Sequence, residues 1–131
     1  MGQFKVDSAS KPGVLQLTLE GALSLDEMKE FVALHNRSIE SFNGATYRVF
    51  CDLRHMMPLS PEAAALLQTA KQFSASQPSF QGSAVLVASS VVAMQHRRTS
   101  IEGGVMSTEL ITDDEAACWE HLRRTQRMPH R

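Results

Sequence analysis

The sequence predicts one α/β domain in the order β-β-α-β-α-β-α-β-α, with a mixed, mostly parallel sheet flanked by helices. Three observations predict it. Apolar residues alternate along "VLQLTLE" and run almost unbroken through "TYRVFCDL" and "SAVLVAS", the patterns of a half-buried strand and of interior strands covered on both faces. Stretches of helical periodicity, each opened by a capping residue, separate these strands, and strands alternating with helices imply crossover connections. The 131 residues, 43% hydrophobic and 21% charged, suit a single core, so residues 1–131 read as one domain.

Taken in order, "QFKVDSASKPGVLQLTLEG" reads as a hairpin, because Pro12-Gly13 supplies the fixed φ and the positive φ of a type II turn. "SLDEMKEFVALHNRSIESFNG" starts with a Ser24/Glu27 capping box and stops at Asn43-Gly44. Leu25, Met28, Val32, Ile39 and Phe42 form its inner stripe, and His35 on that stripe reads as a packed histidine. After the strand "TYRVFCDL", Pro61 stands at a first helical position, and Ala63, Leu66, Leu67, Ala70 and Phe73 turn inward. "QPSFQG" reads as a loop before the strand "SAVLVAS". "SVVAMQHRRTSIEGG" is a weaker helix with Val91, Met94 and Ile101 inward and His96, Arg97 and Arg98 toward its carboxyl end. "VMSTELI" is a short strand. Thr112 with Glu115 then caps a last helix whose inner face is Ala116, Trp119 and Leu122.

Composition excludes several classes of function. The 13 Lys and Arg against 14 Asp and Glu give a net charge of −1, which makes no field to gather nucleic acid. The basic ending "HLRRTQRMPHR" reads as a solvated tail. The longest wholly apolar runs, such as "AVLVA" and "AAALL", are five residues, so neither a signal peptide nor a membrane span is expected. Cys51 and Cys118 are far apart, lack CxxC spacing and fall in segments patterned for burial, as reduced core residues of a cytoplasmic protein do. No catalytic, metal or cofactor motif specific enough to fix a reaction is present, so no metal and no cofactor are expected.

In open α/β sheets ligands bind at the carboxyl ends of the strands, where helix N-termini present free amides. That edge gathers Asp52, Arg54, His55, Ser60, Ser89 and Ser90. Arg54 offers a two-point grip on a phosphate or carboxylate, helped by the amides behind Ser60 or Ser90. Each residue also has a plainer reading: Ser60 and Ser90 as helix caps, Asp52 as the partner of Arg54 or of a loop amide. A hydrolase would use Asp52, His55 and Ser60 as orienter, base and nucleophile, but "GxSxG" is absent and Pro61 removes an amide from any oxyanion hole.

The element order, the "VFCDLR" strand leading into a capped helix, and the closing "ITDDEAACWEHL" together resemble the STAS superfamily of anti-sigma-factor antagonist and sulphate transporter domains. The chain is most similar to its SpoIIAA-like bacterial branch, through Thr112, Asp113, Glu115, Ala116 and Trp119. The resemblance implies a non-enzymatic switch or binding module in which the helix after the central strand docks on a partner and its first serine can be phosphorylated. Aligning Asp52 with the strand-ending aspartate of that family lays Ser60, Pro61, Glu62 and Ala63 across the phosphorylation stretch, with proline in the acceptor's place. Docking is therefore the implied role: a protein partner, a second copy of the chain included, or an anionic group. A similar outline in CRAL-TRIO domains adds the alternative of a small apolar-ligand or lipid carrier.

Overall fold

The Pro12-Gly13 pair turns the chain as its residue types dictate: Gly13 has φ +72°, and the Val14 amide donates to the Lys11 carbonyl at 3.1 Å. The turn lays β1 (Gln3–Asp7) antiparallel to β2 (Val14–Glu20), with Gln3 opposite Glu20. The computed structural model, which describes residues 2–127, continues with α1 (Leu25–Glu40), β3 (Tyr47–Asp52), α2 (Pro61–Ala75), β4 (Phe80–Leu86) and α3 (Ser90–Gly103). A 3₁₀ turn at Met106–Thr108, β5 (Glu109–Thr112) and α4 (Glu115–Arg127) complete it. Element order and fold class are those expected.

The strands lie side by side in chain order, β1-β2-β3-β4-β5, and β2 to β5 run parallel. Helices α1, α2 and α3 cover one face, where Leu15, Leu17 and Leu19 of β2 join Val49 and Cys51 of β3 and Val85 of β4 beneath Met28, Phe31, Leu67 and Val92. On the other face α4 brings Cys118 and Leu122 onto Val14, Phe50 and Ala84. Trp119 stacks on Phe50, ring centres 4.5 Å apart, under the Lys11 ammonium. Arg48, buried in β3, donates to the Leu122 carbonyl at 3.1 Å and so anchors α4 to the sheet. Cys51 and Cys118 are free and buried on opposite faces.

Local chemistry accounts for the helix starts. Ser24 and Glu27 exchange both capping-box hydrogen bonds, and Ser60 accepts from the Ala63 amide behind Pro61. Several expected boundaries and faces are corrected. In α1, Leu25 is exposed in a first turn that precedes the sheet, and Phe31 fills the core instead. β4 begins at Phe80, inside the expected loop. Gly82 serves there as a point of close approach: a Cβ on it would lie 2.7 Å from Thr125 Cγ2 of α4. β5 begins only at Glu109, because Met106–Thr108 coil into a 3₁₀ turn. Asp114, not Thr112, caps α4, its Oδ1 accepting from the amides of Ala116 and Ala117, and Ala116 faces solvent. The expected solvated tail is helical as far as Arg127, with Arg123 and Arg124 reaching back to Glu120; residues 128–131 lie outside the described residues.

The largest departure is α3. It buries Val92, His96, Thr99, Ser100 and Gly103 and exposes Val91, Met94 and Ile101, the reverse of the expected orientation. Its approach to α2 is close enough that a Cβ on Gly103 would meet Lys71 Cβ at 2.6 Å. Gly103→Ala is therefore expected to lower stability by about 1 to 3 kcal/mol through overpacking, in spite of alanine's better helix propensity, as read from the denaturant midpoint.

Candidate functional site

At the carboxyl edge of the sheet, four of the six sequence-derived residues are engaged in two ways, while His55 and Ser90 are exposed. Asp52 and Arg54 come together: Nη2 donates to Oδ2 at 2.8 Å, Nε to Oδ1 at 3.1 Å, and the Arg54 amide also donates to Oδ1 at 3.1 Å. Glu115 stands 3.9 Å from Nη1 on the other side of the guanidinium. The hydrogen bonds from Arg54 hold the Asp52 carboxyl below its ordinary range despite partial burial. Ser60 and Ser89 cap helices: Ser60 Oγ accepts from the Ala63 amide at 3.2 Å and Ser89 Oγ from the Val92 amide at 3.3 Å. The α3 cap is Ser89 rather than Ser90 because Ser89 keeps the extended backbone that a cap requires, while Ser90 is already helical and exposed. Among the described residues no hydrogen bond joins the Asp52, His55 and Ser60 side chains.

The loop from Leu53 to Ser60 is held at several points. The Gly21 amide donates to the His55 carbonyl at 2.8 Å, and the Met57 amide donates back to the Gly21 carbonyl at 3.0 Å. Gln95 of α3 clasps Leu59 from both sides, Oε1 accepting from its amide at 2.8 Å and Nε2 donating to its carbonyl at 2.7 Å. Out of this braced loop Met57 projects, 57% exposed.

A second cluster, which the sequence reading missed, lies beneath α3. Lys71 of α2 donates to the His96 carbonyl at 3.1 Å and to Ser100 Oγ at 2.5 Å. Ser100 Oγ donates to Glu109, and Ser83 Oγ donates to the other carboxylate oxygen at 3.1 Å. Lys71 Nζ and His96 Nε2 each stand 3.8 Å from Glu109, and both His96 ring nitrogens are buried without a hydrogen-bond partner in the structure. Burial pushes the Glu109 carboxyl up, but His96, Lys71 and Ser100 outweigh it and hold it at about 2. Burial lowers Lys71 to about 8 against the pull of Glu109, and burial with Lys71 lowers His96. At neutral pH the cluster is an ion pair beside a neutral imidazole. The one available signal was Lys71 itself, four residues after the inner Leu67 and three before Ser74; a cation on an inner stripe requires an anion from elsewhere.

This cluster borders a cavity of about 40 Å³ whose remaining wall is largely apolar, Phe31, Leu67 and Phe80 among its residues, with His35 and Ser74 as its other polar members. That volume holds about one to three water molecules, far less than a lipid chain. Burial pushes the Cys51 thiol in the cavity wall up and that of Cys118 to about 11, so neither is a ready nucleophile. Among the described residues no group of three or more His, Cys, Asp or Glu is placed to hold a metal ion, and no helix is long and apolar enough to cross a membrane.

An antiparallel strand leading a parallel four-stranded run, with three helices on one face and one on the other, is a SpoIIAA-like α/β fold. Among solved structures the chain is similar over 91% of both lengths to an uncharacterised DUF3478-family protein with a SpoIIAA-like fold from Shewanella loihica PV-4, with a TM-score of 0.61 and 13% identity. No protein-family model matches the sequence, and no curated protein matches it.

Two outcomes follow. Ser60→Ala is expected to lower stability by about 1 kcal/mol, since the Ala63 amide loses its acceptor, and a thermal melt checks it. Stability should also fall as pH is lowered through the unfolded-histidine value of about 6.5, because the unfolded chain then binds protons that folded His96 and His35, both depressed by burial, refuse. A further loss should come as Glu109 is protonated between its unfolded value near 4.5 and about 2. Denaturant titrations across this range, with His96→Gln removing its share of the first step, provide the measurement.

Proposed function

We propose that this chain is a non-enzymatic, cytoplasmic binding or regulatory module that recognises a protein partner at the carboxyl edge of its sheet. The observation that carries the reading is the braced loop from Leu53 to Ser60, which holds Met57 out in solvent beside Gly21 at the end of β2. An exposed apolar side chain on a backbone already ordered loses little entropy on docking, which favours association. On this edge Ser60 and Ser89 serve as caps and Asp52 and Arg54 as an ion pair, an arrangement that supports a platform more than a reaction centre. A protein partner is also favoured over a free anion, because an anion at Arg54 would have to displace Asp52 and compete with Glu115.

The test is a photo-reactive residue placed at Met57 and, as a control, at exposed Ala45 on the opposite edge, followed by irradiation in the native host. One discrete adduct from position 57 and none from position 45 is expected. No adduct from 57, or the same products from both positions, would overturn the reading.

A further inference from the structure

A helix that packs on a sheet ordinarily turns its apolar side inward; α3 does the opposite. Val91, Met94 and Ile101 are 57%, 67% and 60% exposed, and with Arg98 they follow the spacing of one line along the helix. Arg97 stands beside this line and Arg98 within it, both in solvent, and among the described residues neither forms an ion pair, in contrast to Arg54, Arg123 and Arg124. Met94, Arg97, Arg98, Ile101 and Glu102 leave open spaces between their side chains along this ridge, and a groove runs beside it between α2 and α3. The ridge is also fixed in place: Ser89 caps it, Gln95 clasps Leu59, and Lys71 holds the His96 carbonyl from below.

We propose that the outer face of α3 is the docking surface for an amphipathic helix of a partner protein, apolar along one side and acidic at its flanks. Val91, Met94 and Ile101, spaced over three turns, are the anchors against which an amphipathic helix packs, and two guanidinium groups outside any ion pair, against the single carboxylate of Glu102, favour acidic flanks. A second copy of the chain fits less well. A two-fold axis that seats each copy's Met94 on the other's Ile101 brings Arg97 and Arg98 of both copies together, four like charges at the centre of the contact. An anionic bilayer fits less well too, because its uniform negative charge would face Glu102, whereas a helix can set a neutral or basic residue opposite it. The inference rests on the binding-module reading and adds the surface and the partner's chemistry; Val91, in the first turn of α3, makes the surface continuous with the carboxyl edge.

The probe is a designed helical peptide of about 16 residues with leucines at i, i+3, i+4 and i+7 and glutamates at the flanks, compared with a twin carrying lysines. Fluorescence anisotropy should show binding of the glutamate peptide alone, with amide shifts in ¹H–¹⁵N spectra confined to α3 and its groove. Met94→Asp should weaken binding at least about tenfold, and Arg97→Glu with Arg98→Glu should transfer preference to the lysine peptide. All three side chains are exposed, so the fold should persist, and unchanged melting temperatures verify that. Binding of both peptides alike, binding indifferent to these substitutions, preferential binding to phosphatidylglycerol vesicles, or a dimer in sedimentation that Met94→Asp dissolves would each overturn the proposal. Failure here with a discrete adduct still formed from position 57 rejects the α3 surface alone; peptide binding without that adduct rejects the edge.

Discussion

Glu109 opens β5 with a side chain only 3% exposed, and a carboxylate so far from water must be met by an opposite charge and by hydrogen bonds. The helical face of the sheet is arranged around that need. Lys71 supplies the charge from α2, Ser83 a hydroxyl from β4, and Ser100 a hydroxyl from α3 that also receives the lysine. Three elements distant in sequence thus converge on one carboxylate, and each must lie close enough to reach it. Gly103 meets that distance requirement where α3 passes Lys71. Such a pair adds little net stability over apolar packing of the same shape, yet removing one partner of a buried pair costs about 3 to 5 kcal/mol. Its effect is to fix which side of α3 faces the sheet.

The strand order shapes the other end of the molecule. Ligand crevices in open α/β sheets form where successive crossovers leave on opposite faces and the strand order reverses. Here β2 to β5 follow one another without reversal, and α1 to α3 share a face. The carboxyl edge is consequently bridged by the loop that Gly21 and Gln95 brace, and its polar side chains turn to caps and to the Asp52–Arg54 pair. What stays open on this edge is a depression beside Ser89 and Ser90, lined from the ends of β4 and β5, and an edge so largely filled is suited to contact with another surface.

What the sequence disclosed and what it hid divide by the range of the interaction involved. The Lys11–Val14 turn, the Ser24–Glu27 box and the Ser60 cap are made by residues within three positions of each other, and residue types alone specify them. The strand β3 declared itself by being apolar on both faces. At the candidate site, the same short range made the Asp52–Arg54 pairing legible, whereas Ser89 and Ser90 differ only in backbone conformation, which residue type does not report. The orientation of α3 was hidden because Glu109 and Lys71, which decide it, belong to a different strand and a different helix. Periodicity alone favours burying Val91, Met94 and Ile101, and the buried cluster went unseen with it.

Magnitudes explain why the long-range requirement prevails. Turning α3 to bury its three apolar side chains would gain at most about 1.5 to 3 kcal/mol for each, and less in practice because each is already partly covered. The same rotation would leave Lys71 and Glu109 paired but would take the Ser100 hydroxyl and the His96 carbonyl away from them, hydrogen bonds to charged groups worth about 1.5 to 3 kcal/mol each. It would also draw Arg97 and Arg98 toward the sheet, where no carboxylate beyond Glu109 is at hand among the described residues. The lost hydrogen bonds to Lys71 and Glu109, together with two arginines drawn out of water, outweigh three partly buried apolar groups, so the observed orientation is the stable one and the apolar line remains in solvent. Covering that line from outside gains the apolar burial without disturbing the ions beneath, an outcome open to a second molecule and closed to any rearrangement of the chain itself.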